Sequence, residues 1–182
     1  TYLACAAAAD LVADPESDVE GIVLTRPTRG VQGGSLGFLP GGMRAKLAPW
    51  VRPMRDALAE RLGSKRVRAG FEAGQFEEVS VEMCRGLNLR NRVIVFDEAQ
   101  NATPGEAHAL GTRAAEASRF FVCGDPAQTD LGHWNGLAIL AEGVRRGHYT
   151  SAGLAEFNWR HVERSRLCRE LDASMQELRF GT

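Results

Sequence analysis

Asp97 and Glu98 stand side by side at the end of a short apolar run, Val93-Ile94-Val95-Phe96. Adjacent carboxylates can divide phosphate chemistry between them: one holds Mg²⁺ and the other orients a water for attack. The run before them has no polar break, which predicts a strand buried on both faces, as in a parallel sheet. An open α/β sheet takes its ligand outside the carboxyl ends of its strands, where this pair falls. The competing reading is a buried strand that ends in solvated acids and a turn. On this stretch alone the two readings balance.

Two more polar clusters follow apolar runs. Thr25-Arg26-Pro27 follows Gly21-Ile22-Val23-Leu24, and Gly124-Asp125-Pro126-Ala127-Gln128-Thr129-Asp130 follows Arg119-Phe120-Phe121-Val122-Cys123. In a parallel sheet all three clusters land on one edge. Carboxylates, an amide and an arginine converging there describe a site for phosphate and metal.

The elements that must position these residues alternate between strand and helix, which predicts an α/β fold with a mainly parallel sheet. Thr1 to Val12 reads as a helix that Asp14-Pro15 ends. Arg29 to Gly42 is a glycine-rich loop, too irregular for a dinucleotide fingerprint. Met43 to Leu62 reads as a helix broken or kinked near Pro49 and Pro53, with Trp50 inward, and Pro40 to Pro53 as a subdomain insertion. Gly63 to Gly74 is basic and then turn-like. Glu78 to Met83 alternates like a short strand. Thr103-Pro104-Gly105-Glu106 is a capping box that opens a helix to about Ala117. Asn135 to Arg146 is a helix, Leu154 to Asn158 a short strand, and Val162 to Leu178 a final amphipathic helix.

The bulk numbers narrow the class. The 182 residues suffice for one domain with a real core, and 44% hydrophobic with 25% charged is a globular composition. No apolar run reaches the ~18 residues of a membrane span, and no export signal opens the chain. Cys5, Cys84, Cys123 and Cys168 are far apart with no C-x-x-C pair, which argues against zinc and a disulfide framework and for reduced thiols in the cytoplasm. A net charge of −1 argues against a strong general affinity for nucleic acid. Arg44, Arg52, Arg55, Lys65, Arg66 and Arg68 either line a local groove or scatter over solvated faces, and scatter is the default.

Together the motifs resemble the PhoH-like family of P-loop ATPases, nearly end to end. The resemblance rests on Leu24-Thr25-Arg26-Pro27, Leu36-Gly37-Phe38-Leu39-Pro40-Gly41, Arg85-Gly86-Leu87, Asp97-Glu98-Ala99-Gln100-Asn101, Thr103-Pro104, Gly124 to Leu131 and Trp159-Arg160-His161-Val162. Their order also resembles the first motor domain of superfamily 1 helicases. The fold implied is a RecA-like, three-layer P-loop NTPase sandwich, one domain over residues 1–182. Thr1-Tyr2-Leu3-Ala4 resembles the residues just after Gly-Lys in the family's phosphate loop. That loop and the strand before it are missing from this chain. The expectation is that residues ending in Gly-Lys precede Thr1 in the full protein, because removing an internal strand would expose two strand edges.

The resemblance also implies roles and ligands. The cofactors are ATP and Mg²⁺. Thr1 supplies a hydroxyl to Mg²⁺, Asp97 holds the ion through its water shell, and Glu98 polarises the attacking water. Gln128 senses the γ-phosphate. Arg160 stabilises transition-state charge, in this chain or in a neighbouring subunit; the competing reading is a surface arginine. Arg26 couples the site to nucleic acid or a second subunit, or braces its loop. Gln128 and Asp125 also read as residues that satisfy a turn. The function implied is a Mg²⁺-dependent ATPase, associated with phosphate starvation and with single-stranded RNA, that works as a homo-oligomer such as a hexamer or dimer. The alternatives are a non-hydrolysing nucleotide switch that docks onto RNA or a ribonuclease, and a small-molecule kinase.

Overall fold

The computed structural model describes residues 1–28, 43–158, 161, 163 and 165–180, with the backbone alone for 43–48, 172, 176, 177, 179 and 180. Four strands form one fully parallel sheet: β1 (Gly21–Arg26), β2 (Phe76–Ser80), β3 (Arg92–Phe96) and β4 (Arg119–Val122), in the spatial order β2-β1-β3-β4. The register pairs Leu24 with Glu78 on one side of β1 and with Val95 on the other.

Side chains alternate across this sheet, so each strand feeds two cores. On one face Ile22, Leu24, Val93 and Val95 pack with Cys5 and Ala8 of α1 (Tyr2–Ala13), Val51, Met54 and Leu58 of α2 (Met43–Leu62), and Val67 and Phe71 of α3 (Ser64–Glu72). On the other face Val23, Ile94 and Phe96 pack with Ala107 and Leu110 of α4 (Pro104–Gly111). Leu137 and Leu140 of α5 (Gly136–Arg145) pack there half-buried. The result is the expected three-layer sandwich. Burial on both faces is why Ile22–Leu24 of β1 and Val93–Phe96 of β3 are unbroken apolar runs.

The chain divides into two compact units, Thr1–Glu142 and Gly143–Thr182. The second holds an Arg145–Glu156 ion pair, an edge-on contact between Phe157 and His161, and α6 (Arg166–Phe180). Leu167, Leu171, Met175 and Leu178 of α6 are exposed. Among the described residues no helix is long and apolar enough to cross a membrane. The four cysteines are free.

Several boundaries differ from the sequence reading. Met43–Leu62 is one helix with both prolines inside it. Pro49 and Pro53 are exposed, so the carbonyls they leave without an N–H partner face water. The described part of the expected insertion therefore belongs to α2, with Val51 and Met54 in the core. Ser64–Glu72 is helical rather than turn-like. β2 begins two residues early, and Val81–Met83 is a 3₁₀ turn. The capping box forms: the Glu106 N–H donates to Thr103 Oγ1 at 3.2 Å and the Thr103 N–H to Glu106 Oε2 at 2.7 Å. Its helix nonetheless stops at Gly111, because Arg113 and Ala115 exchange backbone hydrogen bonds with Leu89 instead. Leu154 to Asn158 is extended but unpaired among the described residues, so it is not a strand. The last helix starts at Arg166, not Val162. The four strands are contiguous, so any further strand joins at an edge of this sheet and not in a gap within it.

Gly70 gives a test of the packing. Alanine in a helix is ordinarily about 1 kcal/mol better than glycine. At Gly70 a Cβ would stand 2.5 Å from Cδ2 of the buried Phe76 ring. Overpacking costs about 1–3 kcal/mol, so on balance Gly70→Ala should lower stability by up to roughly 2 kcal/mol. Urea denaturation reads this directly, and a higher midpoint would contradict the packing described.

Candidate active site

Strand order reverses between β1 and β3: the chain runs from β1 outward to β2, then crosses back to β3 and β4. A reversal of this kind opens a crevice at the carboxyl ends of the two strands. Here those ends carry Thr25-Arg26 and Asp97-Glu98. The Asp97 N–H donates to the Thr25 carbonyl at 2.9 Å, which extends the pairing to the last residue before the polar pair.

Three groups meet at this crevice. Thr1, the N-cap of α1, donates its hydroxyl to Asp97 Oδ1. Asp97 is only 6% exposed. The open N–H groups of the first turn of α1 thus lie beside the carboxylate, an arrangement that suits an anion brought in with a cation. Thr25 Oγ1 and Arg26 Nε are buried with no hydrogen-bond partner among the described residues. Buried polar atoms are nearly always satisfied, so these two leave the crevice with bonding capacity for a ligand.

Glu98 is held at both oxygens. Its backbone is left-handed (φ 53°, ψ 37°), an uncommon conformation for a residue with a side chain. Arg26 Nη2 lies 3.6 Å from Oε1, and Gln100 Nε2 donates to Oε2 at 2.6 Å. Arg26 in turn donates to the Trp50 carbonyl at 2.8 Å, with its guanidinium 5.4 Å from the centre of the Trp50 ring. Trp50 is half-buried, so its ring serves the arginine as well as the core. Arg26 therefore braces Glu98 against α2.

The third cluster forms a tight turn. Asp125 accepts from the Ala127 N–H at 2.8 Å and from Gln128 Nε2 at 2.7 Å. The Gln128 side chain is exposed and turned toward Asp125, not toward Glu98. Its link to the acidic pair runs through Gln100, whose Nε2 lies 3.4 Å from the Gln128 carbonyl and whose Oε1 accepts from the Asp125 N–H at 3.1 Å. The fold thus joins Thr1 to Asp97 and Arg26 to Glu98, and ties Gln128 in by one intermediary. Arg160 lies outside the described residues. Gln100 was not singled out from sequence, although an amide straight after two carboxylates was a usable signal.

Arg52 pairs with Asp56 at 3.8 Å, Arg55 pairs with Glu78 and stacks over Phe71, and Arg66 donates to the Val12 carbonyl. The side chain of Arg44 lies outside the described residues. Among the described residues no cluster of three His, Cys, Asp or Glu could hold a metal by itself.

A parallel four-stranded sheet between layers of helices, with a hydroxyl and two carboxylates at its switch point, is an α/β architecture that fits a P-loop NTPase domain. The chain belongs to the PhoH family: the family model described as PhoH-like protein matches residues 1–176. It is 37% identical over 145 residues to the PhoH-like protein of Bacillus subtilis (strain 168), covering 78% of this chain and 44% of that protein. It is 34% identical over 173 residues to Protein PhoH of Escherichia coli (strain K12), covering 93% of this chain and 48% of that one. The chain spans less than half the length of these relatives. Membership supports nucleotide binding, with the Mg²⁺ that usually accompanies it.

The Cys5 thiol is pushed up from 9 to about 12 by burial, which outweighs the opposing charge of the amino group at Thr1, with smaller upward pushes from Cys123 and Asp97. Because the folded state holds this proton more tightly, its contribution to stability is intact below pH 9 and is lost as the pH climbs toward 12. The thiolate is the reactive species. Iodoacetamide at about pH 8.5 should therefore leave Cys5 unmodified in the native protein and alkylate it after unfolding; rapid native labelling would contradict its burial.

Proposed function

We propose that residues 1–182 form one nucleotide-binding domain of a Mg²⁺-dependent ATPase. The observation that carries this reading is the Thr1 hydroxyl on the Asp97 carboxylate, with Glu98 next to it at the switch point. Thr1 and Asp97 offer two hard oxygens on one side of the crevice, the donor set that Mg²⁺ takes with a nucleotide. Mg²⁺ held by Thr1 and Asp97 would supply positive charge to the phosphate oxygens. Glu98 accepts a hydrogen bond from the attacking water and orients it toward the terminal phosphorus. Gln128, on the neighbouring turn, reports the presence of the terminal phosphate once its amide leaves Asp125. Arg160 supplies positive charge to the transition state, within the chain or across to a second copy. Most of the rate then comes from positioning and fixed charge.

RNA and self-association extend this reading. Residues 1–182 offer one nucleotide face, and a second copy of the chain would supply another for work on single-stranded RNA, which is the role given to a homo-oligomer in the cytoplasm. Arg26 fits that coupling, since it joins Glu98 to α2.

The test is ATP turnover by the full-length protein with Mg²⁺, with and without single-stranded RNA, beside Glu98→Gln. Loss of a general base costs about 10²-fold or more, so Glu98→Gln should lower kcat by at least that much while ATP still binds. Unchanged turnover would remove Glu98 from the mechanism. ATP binding without turnover in the wild type would instead favour the nucleotide switch. RNA that leaves kcat unchanged, or a monomer with full activity in sedimentation, would remove the corresponding extension.

A further inference from the structure

Gln100, in the short 3₁₀ turn after β3, is fully buried although its side chain is polar. A buried amide must use all of its bonding capacity or lose stability. Gln100 does so with partners from two separate segments. Its Nε2 gives one hydrogen to Glu98 Oε2 and faces the Gln128 carbonyl with the other. Its Oε1 accepts from the Asp125 N–H, and its own carbonyl accepts from Thr129 Oγ1 at 3.0 Å. The orientation of the amide is set by the partners: a backbone N–H needs an acceptor and a carboxylate needs a donor, so a flipped amide would lose both bonds.

The surroundings are shaped to this side chain. A Cβ on Gly124 would stand 2.4 Å from Gln100 Oε1 and 3.3 Å from the Ala99 nitrogen. Glycine at 124 therefore leaves the space that the amide fills. The left-handed backbone at Glu98 adds to the point. Such a conformation persists only where its surroundings over-determine it, and among the described residues the bond from Gln100 joins the Arg26 contact in fixing the Glu98 side chain.

We infer that Gln100 is a positioning residue that locks the Glu98 carboxylate to the 125–129 turn, so that movement of the turn and aim of the base are a single event. This rests on the reading of Glu98 as the base. Gln100 does not touch the reacting atoms; it sets where Glu98 points and ties that direction to the segment that carries Gln128. A substituent that cannot donate to Glu98 frees the carboxylate to swing on Arg26 alone, whose contact is longer and less directional.

The test uses the full-length protein with two variants. Gln100→Met keeps the volume and removes both bonding functions. Gly124→Ala leaves Gln100 in place and pushes its amide aside, so it decides the matter should Gln100→Met fail to fold by circular dichroism. Misplacement by about 1 Å costs on the order of 10²-fold. Each variant should therefore lose roughly 10- to 100-fold in kcat while its affinity for ATP with Mg²⁺ stays within about 3-fold. In a Glu98→Gln background the same changes should cost nothing further, because the carboxylate they aim is already gone. Retained kcat in the folded variants overturns the inference. So does a matching loss of ATP affinity, or full additivity with Glu98→Gln, since either describes a merely structural amide. A wild-type protein without turnover removes the ATPase reading and this inference with it, whereas turnover indifferent to both changes removes the inference alone.

Discussion

The pairing of β1 with β3 is the constraint on which the site depends. Both strands are covered on both faces, and their register runs to the last apolar residue of each. Once Leu24 lies beside Val95, the next residues have no freedom in where they emerge. Thr25 and Arg26 must end next to Asp97 and Glu98, and the bond from the Asp97 N–H to the Thr25 carbonyl fixes the spacing. Each apolar residue in this pair therefore acts on the polar groups beyond it. The site is rigid because its foundation is a buried ladder and not a loop.

Around that foundation the polar groups restrain one another. Asp97 is reached by Thr1, Glu98 by Arg26 and Gln100, and the 125–129 turn by Gln100 and Asp125. Charged groups are expensive to bury alone and tolerable when paired. Here the pairing links α1, α2 and the turn after β4 to the end of β3. The left-handed backbone at Glu98 belongs to the same set of restraints, since it turns the acid out of the strand direction and toward its partners.

The parts of the fold legible in the sequence were those set by local rules. Unbroken apolar runs became β1, β3 and β4, and the Thr103–Glu106 capping box formed as its spacing required. The parts that were not legible depend on distant partners. Ser64–Glu72 looked turn-like because of Gly63, Gly70 and Gly74, yet Gly70 is there to let a helix lie against Phe76. The helix after Pro104 looked longer because its sequence is helix-compatible, but Leu89 captures the backbone that would have continued it. Leu154 to Asn158 has a strand's composition and no neighbour to pair with among the described residues. At the site, Asp97, Glu98 and Arg26 could be named from their place after apolar runs. The role of Gln100 depends on a turn 25 residues further along the chain, and only the folded molecule shows it.

Parallel pairing also governs the order in which the molecule is built. β1 meets β3 across a separation of about seventy residues, so nothing in the first third of the chain can complete the central ladder by itself. During synthesis β1 can gain β2 on one edge, but its other edge stays open until β3 has emerged, and the turn that carries Gln128 emerges later still. Topologies dominated by distant contacts fold slowly and expose strand edges meanwhile. The arrangement that gives the site its fixed geometry therefore leaves the nascent chain dependent on protection until residue 130 or so has been made.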